Sequence, residues 1–175
     1  MTAPVKIVRV IARLNIGGPA IHTILLSGEL NKRGHRDVLV CGKVDNSEGD
    51  MMYLAVENGV APIVIPELGR EISIIKDFKS FIALFSLMRR EKPDIVHTHT
   101  AKAGTLGRMA AVFAGVPIKI HTFHGHVLDG YFSPVKAGVF LLIERMLACF
   151  TDRIVVVSER IKHEIVDKLR VTSAS

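Results

Sequence analysis

Short runs of β-branched residues alternate along this chain with longer stretches whose apolar residues recur at helical spacing. That alternation narrows the fold more than any other feature. Residues 5–12 read as a strand and 19–34 as a helix with a glycine stop. Strands at 37–41 and 61–65 flank a short helix at 51–58, which Gly59 ends. A long helix at 73–91 precedes a strand at 94–97, and a helix at 102–114, closed by Gly115, precedes a strand at 118–122. A helix at 134–149, a strand at 153–157 and a last helix to Leu169, N-capped by Ser158, complete the chain. Six strands thus alternate with six helices. Strands made almost wholly of Val and Ile suit a sheet covered on both faces. With right-handed crossovers, the expectation is an α/β, doubly wound, Rossmann-like parallel sheet with helices on both faces, most simply in the order 3-2-1-4-5-6.

No repeat, low-complexity segment or linker interrupts the pattern, and 175 residues fit one domain with a full core. At 49% apolar residues the chain is not disordered. Its longest stretch free of Asp, Glu, Lys and Arg, residues 14–28, is too short for a membrane span and broken by Asn15, Gly17, Gly18, Pro19 and His22. Lys6, Arg9 and Arg13 lie within the first apolar run, where a signal peptide would carry none, so a cytoplasmic start is expected. Cys41 and Cys149 lack paired spacing and suit a reducing compartment. The net charge of +6 is spread along the chain, so no nucleic-acid tail is visible and no nucleic-acid partner is expected. In the long helix, Ile74, Ile75, Phe78, Phe81, Ile82, Phe85 and Met88 form a stripe expected to pack on the sheet. Lys76, Lys79 and Arg90 on its polar side would also suit an anionic membrane surface.

Ligands of an open parallel sheet bind beyond the strand C-termini where the strand order reverses, here between the first and fourth strands. The flanking loops are Arg13-Leu-Asn-Ile-Gly-Gly-Pro and His97-Thr-His-Thr-Ala-Lys-Ala-Gly, with His121-Thr-Phe-His-Gly-His-Val-Leu-Asp-Gly-Tyr beside them. Five of the eight histidines fall in the last two loops. Gly17 and Gly18 sit where a helix begins, serving either a phosphate that needs close backbone approach or a turn that needs positive φ. The pattern is not G-x-G-x-x-G, and the second strand ends Val40-Cys41-Gly42 with no acidic residue for a ribose, which disfavours a nicotinamide dehydrogenase. His97 and His99 share one face of their strand while Thr98 takes the other, and His97, lying deeper, suits a structural role. Lys102 opens a helix, where it can meet an anion or simply solvent. His124 and His126 flank Gly125 in a loop where an imidazole can act as base or donor. These histidines offer nitrogens enough for zinc, but no supporting carboxylate and no H-E-x-x-H spacing accompany them, so no metal site is expected.

Three segments resemble the acceptor-side motifs of family 4 glycosyltransferases. They are Lys92-Pro-Asp-Ile-Val-His-Thr-His-Thr-Ala-Lys-Ala-Gly-Thr-Leu-Gly-Arg, His121-Thr-Phe-His-Gly-His and Asp152-Arg-Ile-Val-Val-Val-Ser-Glu. The Gly17-Gly18 turn is similar to the family's glycine-rich loop after the first strand. The resemblance implies a GT-B fold, in which two Rossmann-like domains face across a cleft and transfer a sugar from a nucleotide-sugar donor with retention. It implies no cofactor and no essential metal. The nearest branch builds capsular, exopolysaccharide or O-antigen units on a polyprenyl-diphosphate carrier, at or near the inner face of the plasma membrane. By the same resemblance, Gly17 and Gly18 approach donor diphosphate and acceptor, and His124 is the active-site histidine near the transferred sugar. His99 and Lys102 would lie by the acceptor, with His126 counted among the binding residues.

The chain as a whole is similar to the family's N-terminal, acceptor-side domain. The donor-binding domain, with its basic residues and E-x7-E motif, is not in this sequence, so residues 1–175 alone are expected to be catalytically silent. The alternatives are a stand-alone acceptor-binding or membrane-recruitment subunit working with a separate donor-binding chain, and a nucleotide-sugar epimerase of related fold.

Overall fold

The computed structural model describes residues 3–45, 48–69, 71–125 and 134–172. The elements follow in the expected alternation: β1 (Lys6–Arg13), α1 (Gly18–Lys32), β2 (Arg36–Gly42), α2 (Met52–Glu57), β3 (Ile63–Val64), α3 (Ile74–Glu91) and β4 (Ile95–His99). After them come α4 (Ala101–Ala114), β5 (Ile118–Phe123), α5 (Pro134–Ala148), β6 (Arg153–Val156) and α6 (Glu159–His163). The last helix continues as a π-helical turn, Glu164–Lys168, and Ser158 Oγ caps its start by accepting from Ile161 N at 3.3 Å.

All ladders between the named strands are parallel and the strand order is β3-β2-β1-β4-β5-β6, as expected. β3 is shorter than expected because Pro62 and Pro66 bracket it, and a proline has no N–H to give to a ladder. Alternate residues of each strand enter two separate cores. Val8, Val10, Ala12, Val40 and Val96 pack under α3 and α4 with Leu84, Met88 and Ala110. Ile11, Leu39 and Cys41 pack on the opposite face with Ala20 and Ile24 of α1 and Ala55 of α2. A third cluster of Phe123, Ile161, Ile165 and Val171 closes the β5–β6 end.

The stripe expected to bury α3 needs correction. The buried positions are Ser80, Leu84, Leu87 and Met88, whereas Ile74 and Phe78 are 88% and 65% exposed. Only the C-terminal half of α3 lies over the sheet. Its aromatic residues turn toward α4, where Phe81 stacks on Phe85 and meets Phe113 edge to face. Phe78, Phe81, Phe85, Leu106, Met109 and Phe113 line an open apolar groove of about 650 Å³. Among the described residues, no helix is long and apolar enough to cross a membrane.

Candidate functional site

The crevice between β1 and β4 is built on a buried charge. Arg9 stands in the middle of β1, 1% exposed, on the face covered by α1. Its Nη2 donates to Asp37 Oδ2 at 2.6 Å and its Nε to the same oxygen and to Ser27 Oγ, each at 3.1 Å. Ser27 Oγ in turn donates to Asp37 Oδ1 at 2.8 Å, so the carboxylate is held from two sides. Burying a guanidinium is tolerable only when it is so paired.

The third nitrogen of Arg9, Nη1, points at the histidines. It lies 2.7 Å from His97 Nδ1 and 3.2 Å from His99 Nε2. Register explains this meeting, because Arg9 is paired with His97 across the parallel ladder and His99 follows two residues on, on the same face. His97 Nε2 reaches Thr122 Oγ1 at 2.7 Å, and His99 Nδ1 reaches His124 Nε2 at 2.9 Å. His22, one turn into α1, completes the group, with ring centroids 5.8 Å from His99 and 5.2 Å from His124. Thr98 faces the other way and meets His121 Nδ1 at 2.8 Å, beneath Gly104 and Gly107 of α4. A Cβ on Gly104 would stand 2.5 Å from His121 Cε1, so that glycine makes room for the imidazole.

Electrostatics keep these imidazoles neutral at physiological pH. Burial, then the Arg9 guanidinium, lowers His97 to about 3. Burial, then His22, lowers His124 to about 4. His99, His121 and His22 are also pushed down, chiefly by burial.

A second group surrounds the start of α4. A cavity of about 280 Å³ is lined by Arg13, Gly17, Pro19, Thr100 and Lys102, with Ile72 and Phe140 at its apolar side. Thr100, the N-cap of α4, has φ 65° and ψ 156°, a conformation that costs a β-branched residue energy and often marks a functional turn. Lys102 Nζ is paired with Asp77 Oδ1 of α3 at 2.6 Å and also donates to the Glu71 carbonyl. Neither of the two options open to Lys102 in the sequence, solvent or an anion, includes this bridge.

Gly17 has φ 162°, which is extended backbone, so the turn does not need the left-handed conformation that the structural alternative required. A Cβ on Gly17 would meet nothing nearer than Pro19 Cδ at 3.8 Å, and one on Gly18 nothing within 4 Å. Gly42 is the contrast, since a Cβ there would fall 1.5 Å from the Leu68 carbonyl oxygen. The fold demands Gly42; it does not demand Gly17 or Gly18. An open glycine pair at a helix start is what close approach by a ligand would use.

The structure therefore gathers His99 with His124, and Gly17 with Lys102, on adjoining sides of the crevice; His126 lies outside the described residues. Sequence reasoning missed Arg9, Asp37 and His22 as members of the site. A charge in the middle of a strand buried on both faces was the available signal for Arg9. No periodicity marks His22, which only the packing of α1 brings to His99.

Comparison with known proteins supports a single lineage. The profile described as Glycosyltransferase Family 4 matches residues 16–174. Over 116 residues the chain is 39% identical to a UDP-Gal:alpha-D-GlcNAc-diphosphoundecaprenol alpha-1,3-galactosyltransferase of Escherichia coli, covering 66% of this chain and 30% of that protein. Over 104 residues it is 38% identical to the capsular polysaccharide biosynthesis glycosyltransferase CapM of Staphylococcus aureus, covering 59% of this chain and 27% of that protein. The matched region thus spans less than a third of either relative's length. In structure, sucrose-phosphate synthase from Thermosynechococcus elongatus superposes with TM-score 0.72 at 15% identity, over 96% of this chain and 46% of that one. A UDP-N-acetylglucosamine 2-epimerase from Rickettsia bellii superposes with TM-score 0.63 at 14% identity, over 95% and 42%. At these identities the structures share the fold alone. The sequence matches carry the assignment, and by them the chain belongs to glycosyltransferase family 4.

Proposed function

We propose that this chain is the acceptor-side domain of a retaining glycosyltransferase. The enzyme moves a sugar from a nucleotide-sugar donor to a glycan or polyprenyl-diphosphate-linked acceptor in cell-surface polysaccharide synthesis. The observation that carries the reading is that the loops at the reversal of strand order hold both an unobstructed Gly17–Gly18 turn, with Gly17 lining one cavity with Lys102, and the His99–His124 pair. The undecaprenyl-diphosphate chemistry in the name of the E. coli relative supports the acceptor class. In this role Gly17, Gly18 and the start of α4 receive the acceptor diphosphate, and Lys102 exchanges Asp77 for a phosphate oxygen. His124 contacts the transferred sugar. No metal and no cofactor take part, and the donor diphosphate is gripped by a second domain.

The proposed station is the cytoplasmic membrane surface. Ile72, Ile74, Ile75, Phe78 and Phe113 are each more than 60% exposed, and Lys76 and Lys79 lie on the same helix as three of them. An apolar patch edged by lysines suits the boundary between anionic headgroups and acyl chains.

The test is to titrate the 175-residue chain with a soluble short-chain prenyl-diphosphate sugar and follow its amide and imidazole NMR signals. Shifts at Gly17, Gly18, Lys102 and His124 are expected. With nucleotide sugar added, this chain alone should show no transfer. Shifts confined to other surfaces, or turnover by this chain alone, would refute the reading. Epimerised nucleotide sugar without any acceptor would favour the epimerase alternative.

A further inference from the structure

An arginine has only donors, and that sets the direction of every hydrogen bond beyond it. Arg9 Nη1 carries two protons and faces two ring nitrogens, His97 Nδ1 and His99 Nε2. Both of those nitrogens must present lone pairs. His97 then bears its proton on Nε2 and gives it to Thr122 Oγ1. His99 bears its proton on Nδ1 and gives it to His124 Nε2, 2.9 Å away. His124 accepts at Nε2, so its own proton sits on Nδ1, which has no hydrogen-bond partner among the described residues. An imidazolium at His97 or His99 would turn an N–H toward the guanidinium, and one at His124 would set N–H against N–H.

We propose that Arg9, anchored by Asp37 and Ser27, is a positioning residue that acts through His99 to hold His124 as its Nδ1–H tautomer. His124 then offers the crevice a hydrogen-bond donor, suited to an oxygen on the substrate, and its Nε2 lone pair is not free to act as a general base. The catalytic use of that donor rests on the proposed placement of His124 at the transferred sugar; the tautomer itself does not.

The same network decides against a metal. His22, His99 and His124 each bring a ring nitrogen within 4.8 Å of the others, a spacing that an ion could bridge. Yet His99 has no nitrogen to give, because Nδ1 carries the proton and Nε2 lies 3.2 Å from the Arg9 guanidinium.

The experiment is to read the imidazole 15N shifts of the 15N-labelled 175-residue chain near neutral pH. The expected pattern is Nε2–H at His97 and Nδ1–H at His99 and His124. In His99→Leu, His124 should change to the Nε2–H form. In His99→Asn, whose amide can still donate from the position of Nδ1, it should remain Nδ1–H. A wild-type His124 in the Nε2–H form overturns the proposal without any variant. So does an Nδ1–H form that persists in His99→Leu. Addition of zinc chloride should leave the His99 signals in place, and a stoichiometric complex that removes the His99 Nδ1 proton would also overturn it. A failure of acceptor binding would leave all these readings unchanged, so the two proposals fall separately.

Discussion

At the scale of single residues, the two halves of the site differ in what holds them. The histidines are locked by a buried ion pair and by each other, whereas the glycine turn is free of steric demand. Gly17→Ala should therefore fold with a stability within about 0.5 kcal/mol of the parent, as for substitutions away from strained or packed positions. With the acceptor placed as proposed, its affinity for a prenyl-diphosphate ligand should fall, because the added methyl would stand in the ligand's proposed path. Urea denaturation and ligand titration of the same sample separate the two effects. A loss of several kcal/mol on unfolding would show that the turn is structural after all. Gly42 could not pass the same test, since its Cβ would lie within bonding distance of backbone.

At the scale of elements, α3 carries a division of labour. Its C-terminal half presents Leu84, Leu87 and Met88 to the sheet, and its N-terminal half leaves Ile75 and Phe78 72% and 65% exposed. Asp77, between them, reaches across to Lys102 at the start of α4. The same helix therefore offers an apolar surface outward and braces the start of α4 inward. The double substitution Ile75→Ser with Phe78→Ser should weaken binding to phosphatidylglycerol vesicles about tenfold or more, since each side chain contributes about 1.5–3 kcal/mol if fully buried. Thermal stability should hardly change, because neither side chain is buried in the core. Vesicle cosedimentation beside a melting curve checks both parts. Equal binding by parent and variant would remove α3 from the membrane contact.

At the scale of the whole molecule, the histidines of the site, of which His99 and His121 are fully buried, tie stability to pH. His22, His97, His99, His121 and His124 all have folded values below the ordinary imidazole value of 6.5, so the unfolded chain takes up protons that the folded chain refuses. Their contribution is complete above about pH 6.5 and is lost as the pH falls toward the values near 4 and 3 of His124 and His97. The urea midpoint should already decline between pH 6.5 and 5. That window lies above the range of Glu91 and Asp152, whose values are lowered by Lys6 and Lys119 respectively, so their loss comes later. A midpoint that holds or rises on acidification to pH 5 would contradict the lowered values of these rings.

The alternation of Val- and Ile-rich runs with amphipathic segments was enough to establish the parallel sheet and its order, because few topologies satisfy short right-handed crossovers. It was enough, too, to place His99, Lys102 and His124 at the crevice, since loops at strand C-termini follow from chain order alone. β3 is trimmed by prolines that were visible in the sequence, a local effect that a period-two reading overlooks. The remaining features depend on distance through space. Asp37 meets Arg9 although β-ladder register pairs it with Ile7, and His22 meets His99 only because α1 packs over β1. Of the α3 stripe, Met88, Phe81 and Phe85 pack with the core as expected, whereas Ile74, Ile75 and Phe78 face solvent, because periodicity shows that a helix has an apolar side without showing how much of it is covered. Lys102 has its carboxylate on a helix that hydropathy reads as membrane- or core-facing. Chain order thus dictated which loops form the crevice. Which protons its histidines carry was decided only when folding set a buried guanidinium beneath them.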